Sequence, residues 1–67
     1  MESVYKVIEI IGTSDKSWEE AAKTAVEKAQ KSLKDLRVAE VKELDIKVED
    51  GKFLYRVKLN VSFKYLD

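Results

Sequence analysis

The chain has no cysteine, no histidine and no proline, and only two glycines. Without cysteine there are no disulfides, and redox compartment cannot be read from thiol usage. Without histidine or cysteine the common zinc ligand sets are missing. Ser3, Ser14, Ser17, Ser32 and Ser62 therefore lack the histidine base that activates a nucleophilic serine. With only Gly12 and Gly51, no phosphate-cradling glycine loop can form. No catalytic residues stand out, and an enzyme is not expected. Neither charge sign is in excess, with 13 Lys plus Arg against 13 Asp plus Glu. A net charge of zero gives no general attraction to nucleic acid or to an anionic membrane. No apolar run approaches the roughly 20 residues of a membrane span. The opening MESVYKVIEII lacks the pattern of a signal peptide, so a cytoplasmic location is the default expectation.

What remains is a short, heavily charged chain. Of its 67 residues 39% are charged and 45% hydrophobic, a globular composition. No linker, low-complexity run or internal repeat divides it, so one domain over residues 1–67 is expected. Below about 70 residues a single core rarely supplies more than a few kcal/mol. Disulfides and zinc are excluded as braces, which leaves association with further copies of the chain.

The dominant stretch is Phe53 to Tyr65. Phe53, Tyr55, Val57, Leu59, Val61, Phe63 and Tyr65 alternate with Arg56, Lys58, Asn60, Ser62 and Lys64. That period of two is a long strand with one apolar and one polar side. Val4 to Ile11 is a first strand with apolar residues on both faces, followed by a polar turn through Thr13 and Ser14. Ser17-Trp18-Glu19-Glu20 is a capping box. It opens a helix expected to reach about Asp35, with Trp18, Ala22, Ala25, Val26, Ala29, Leu33 and Leu36 as its apolar stripe. Lys23, Glu27, Lys28, Lys31 and Lys34 are its solvated outer face. Arg37 to Glu49 is a second strand. Its apolar residues change phase near Lys42-Glu43, the mark of a β-bulge. Asp50-Gly51 then makes a tight hairpin turn. The order β-α-β-β predicts an α+β fold with a three-stranded antiparallel sheet, strand order 1-3-2, curved around one helix. The two outer strands leave open edges, a second reason to expect self-association.

The elements VYKVIEIIGTS, LRVAEVKE and YRVKLNVSFK, with the capped alanine-rich helix between the first two, resemble the dodecins. Ile11-Gly12-Thr13-Ser14, Ala39-Glu40-Val41 and the Tyr55-to-Phe63 strand carry the likeness. It implies a hollow homododecamer that binds riboflavin, FMN or FAD in pairs, for storage or sequestration and without catalysis.

The likeness also assigns a pocket, and this chain departs from it. The tryptophan that stacks on flavin is replaced by Val38. The glutamine that hydrogen-bonds the ring is replaced by Arg56. Trp18, the only tryptophan, falls on the apolar helix stripe and is expected in the core. Arg56 offers donors only. With Lys64 on the same face it could meet a phosphate, or both could be solvated strand residues. Val38, Arg56 and Lys64 are the candidate cofactor-binding residues of a weakened flavin pocket. The alternative is a flavin-independent shell serving a structural role or binding calcium, as the likeness implies for members lacking the tryptophan. Glu40, Glu43, Asp45, Glu49 and Asp50 supply carboxylates, yet a strand spaces them too widely for one subunit to complete a calcium shell. No metal-ligating residue is assigned.

Overall fold

The structure, a computed structural model, describes residues 2–66, the side chain of Leu66 excepted. In chain order the elements are β1 (Val4–Ser14), α1 (Trp18–Ser32), β2 (Leu36–Glu49) and β3 (Lys52–Leu66). All strand pairings are antiparallel and the sheet order is β1-β3-β2, as the alternation and connection lengths predict.

The alternation of β3 decides the layers. Val57, Leu59 and Val61 are buried against the helix, while Arg56, Lys58, Asn60 and Ser62 point to the opposite side of the sheet. Ala21, Ala25 and Ala29 are the buried residues of α1. They recur every four residues, one row down a helix face. Trp18, Ala22, Val26 and Leu33 are partly buried beside them. The most deeply buried alanine is Ala21, which the expected stripe omits, and Ala22 lies at its border.

A helix of 15 residues spans only about 22 Å, whereas the 15 residues of β3 run nearly 50 Å. The sheet thus outruns its helix at both ends, in a molecule 51 Å long. Phe53 and Tyr65, at the two ends of the apolar side, are exposed. So are Val41, Leu44, Ile46 and Val48 of β2.

Local chemistry sets the boundaries. Ser17 caps α1, its hydroxyl accepting from the Glu20 amide at 3.0 Å. The second half of the expected capping box is absent. The Ser17 amide donates instead to Ser14 Oγ at 3.4 Å. The helix stops at Ser32, short of Asp35, because Leu33 is already extended. Asp35 has a positive φ of 54°, so Leu36 belongs to β2. β1 continues past Ile11, since Gly12, Thr13 and Ser14 still pair with Val57, Arg56 and Tyr55. The register of β2 on β3 slips between Val41 and Glu43, where the phase change predicts a bulge, and again between Leu36 and Val38. Asp50 and Gly51 both have positive φ, as a two-residue type I′ hairpin turn requires.

Candidate functional site

The sheet face turned away from α1 carries the candidate residues. The hairpin turn sets their neighbours. Glu49 lies opposite Lys52, so four pairs back Asp45 lies opposite Arg56, and two further back Glu43 lies opposite Lys58. Directly opposed side chains on one sheet face are close enough to bond. Arg56 Nε donates to Asp45 Oδ1 at 2.7 Å, and Arg56 Nη2 donates to Asp45 Oδ2 at 2.8 Å. This is a two-pronged guanidinium–carboxylate pair. Lys58 Nζ stands 3.0 Å from Glu43 Oε1. Two ion pairs therefore lie side by side across β2 and β3, around a shallow cavity also lined by Ile11.

Each pair perturbs its members. The hydrogen bond from Arg56 holds the Asp45 carboxyl below its ordinary range. The same bond raises Arg56. Glu43 raises Lys58, with a lesser contribution from Glu9 on β1. All four side chains keep substantial solvent contact.

The structure places the three pocket candidates on one face but does not gather them. Val38 lies opposite Ser62, whose hydroxyl donates to the Val38 carbonyl at 3.5 Å. From Ser62 to Arg56 is six residues of β3, roughly 20 Å. Lys64 is two residues beyond Ser62, facing Tyr5 of β1, and its amide donates to the Asp35 carbonyl at 3.2 Å. Val38 and Lys64 are neighbours, and Arg56 is remote from both. No aromatic ring stands at position 38, and two Arg56 donors are engaged by Asp45. The residues of one protomer do not fit a flavin.

Trp18 is only partly buried, at the rim of the core. Its indole N–H donates to the Asp45 carbonyl oxygen at 3.1 Å, and its ring meets Tyr55 edge-on with centroids 5.3 Å apart. From sequence Asp45 is weighed only as one carboxylate of a row, and its pairing with Arg56 is missed. Asp45 is bonded on one side of the sheet by Trp18 and on the other by Arg56. Counting pairs back from Asp50-Gly51 would have found the pairing.

Of the β2 and hairpin carboxylates, Glu43 and Asp45 are ion-paired, and Glu49 lies 4.0 Å from Lys47. Among the described residues no three potential metal ligands converge. One protomer does not fit a calcium shell of six to eight oxygens. No described helix is long and apolar enough to cross a membrane.

Comparison with known proteins bears on this geometry. The family model described as Dodecin matches residues 4–66. The calcium dodecin of Mycobacterium tuberculosis is 60% identical over 63 residues, 92% of this chain and 89% of that protein. The dodecin of Thermus thermophilus is 40% identical over 65 residues, 96% of this chain and 94% of that protein. The crystal structure of the M. tuberculosis protein, a calcium-chelating antigen with a calcium-binding site, superposes with a TM-score of 0.89 at 58% identity, covering 96% of this chain and 93% of that one. Dodecin from Streptomyces davaonensis superposes with a TM-score of 0.91 at 26% identity over the full length of both chains. With both the family match and the shared fold spanning nearly all its residues, the chain belongs to the dodecin family.

Proposed function

We propose that this chain works as a non-catalytic, homo-oligomeric shell, a dodecamer by family resemblance, that sequesters calcium and not flavin. The 60% identity with calcium dodecin carries the reading. Two site features agree with it. Val38 offers no ring to stack on flavin, and Arg56 is held by Asp45. Since one protomer lacks a full set of ligands, carboxylates or main-chain oxygens from several copies would complete each calcium shell.

Exposed apolar residues support association. Val4, Tyr5, Val7 and Ile11 of β1 and Val38, Val41, Leu44, Ile46 and Val48 of β2 are all at least 40% exposed. Clustered on the two outer strands, they are the surface expected of a chain that meets further copies. A cytoplasmic location accompanies this reading.

Calcium titration of the chelator-treated assembly by calorimetry and thermal melting tests it. Binding at a fixed ratio to protomers, with a melting temperature that rises with calcium, is the expected result. A protein that ignores calcium overturns the calcium assignment, and one that purifies yellow and quenches riboflavin fluorescence returns it to flavin. Sedimentation on dilution tests the shell separately. A folded protomer with an unchanged melting temperature at low concentration contradicts it.

A further inference from the structure

The paired charges on the outer sheet face hold a property that calcium sequestration does not use. Arg56 and Lys58 are two residues apart on β3, so their Cα atoms stand about 7 Å apart and their side chains leave the same face. β3 is the central strand, paired on both sides, which makes it the firmest place in the sheet to mount two cations. A guanidinium beside an ammonium at this spacing is suited to phosphate oxygens. Each cation, however, already has a carboxylate. Asp45 takes two donors of Arg56, and Glu43 takes Lys58.

We propose that Arg56 and Lys58 form a latent phosphate-binding site that Asp45 and Glu43 keep closed, so that these two carboxylates decide which ligands the face accepts. The four side chains line one shallow cavity of about 120 Å³ together with Ile11, so an anion entering it meets both cations and both carboxylates at once. With the carboxylates ionised the cavity is neutral overall and repels a phosphate at close range as much as it attracts it. With them neutralised, two positive charges remain. The other charged side chain acting on them from β1 is Glu9, opposite Asn60 and one pair diagonal from Lys58. Its single charge leaves the site net positive. Glu40, opposite Asn60 on β2, lies beyond Glu43 from Arg56.

The test is pyrophosphate binding by calorimetry to the assembled protein in calcium-free buffer, so the outcome does not depend on the calcium assignment. Asp45→Asn with Glu43→Gln should raise pyrophosphate affinity about ten-fold or more over wild type. Adding Arg56→Gln should abolish the gain. Adenosine diphosphate should gain like pyrophosphate, whereas adenosine, which carries no phosphate, should not gain. Circular dichroism and sedimentation establish that the variant is folded and assembled. A folded double variant without gain, a gain that survives Arg56→Gln, or an equal gain for adenosine would overturn the proposal, as would wild-type protein binding as tightly as the variant. Should the double variant fail to fold, Asp45→Asn alone carries the test, with a smaller gain expected and no gain refuting it.

Discussion

Gly12 of β1 lies directly under Ala21 and Ala25 of α1, and there is no room between them for a side chain. A Cβ on Gly12 would meet the Ala21 carbonyl and stand 2.8 Å from the Ala25 methyl. The helix is seated where its small residues meet the glycine of the strand.

Gly12→Ala should therefore destabilise by about 1–3 kcal/mol, the usual cost of overpacking a tight interior. Gly12→Val should cost more. Denaturant unfolding at fixed protein concentration measures both. An unchanged midpoint would mean that the helix does not sit this close. Gly51→Ala has open space around it and would act only through its positive φ of 74°.

Trp18→Phe keeps a ring against Tyr55 but removes the N–H that reaches the Asp45 carbonyl. The expected loss is about 0.5–1.5 kcal/mol, one neutral hydrogen bond. Thermal melting followed by circular dichroism reads it. If the variant melts with wild type, the indole bond contributes nothing.

Asp45 links pH to stability. Its folded pKa is depressed by Arg56, so the ion pair stabilises the fold above the unfolded value, about pH 4, and the stabilisation fades as pH falls through the folded value. Wild type should outmelt Asp45→Asn at pH 7. The gap should narrow only below about pH 4, and it should shrink in 1 M salt, since both side chains are exposed. A gap that is constant across this pH range would rule out the pair as its source.

Val38→Trp with Arg56→Gln should bring back flavin binding. One restored stacking ring is worth about 1–3 kcal/mol by analogy with nucleobases, or one to two decades in affinity. Fluorescence quenching of riboflavin reports it. Because Val38 and Arg56 lie roughly 20 Å apart along one sheet, the gain requires copies that bring the two positions together. A folded, assembled double variant that leaves riboflavin fluorescence untouched would show that the pocket differs at more than these positions.

The sheet was legible before folding because its signals are local. Asp50-Gly51 names the turn, the odd positions of β3 name the buried side, and the phase change at Lys42-Glu43 names the bulge. Given the turn, even Asp45–Arg56 follows by counting pairs. The helix end was not legible, since Leu33 and Leu36 continue the three-and-four spacing. The chain leaves the helix there for β2, and Leu36 reaches the core from a strand.

The alternation of apolar and polar residues, a property of adjacent positions, was enough by itself to set the two faces of the sheet, and the β-α-β-β succession with its tight hairpin set the strand order. Tertiary structure alone decided how far the helix covers that sheet, and that Asp45 receives Trp18 on one side and Arg56 on the other. Such contacts join residues 27 and 11 positions apart, and their geometry depends on how the layers seat on one another, with Gly12 under Ala21 setting the distance.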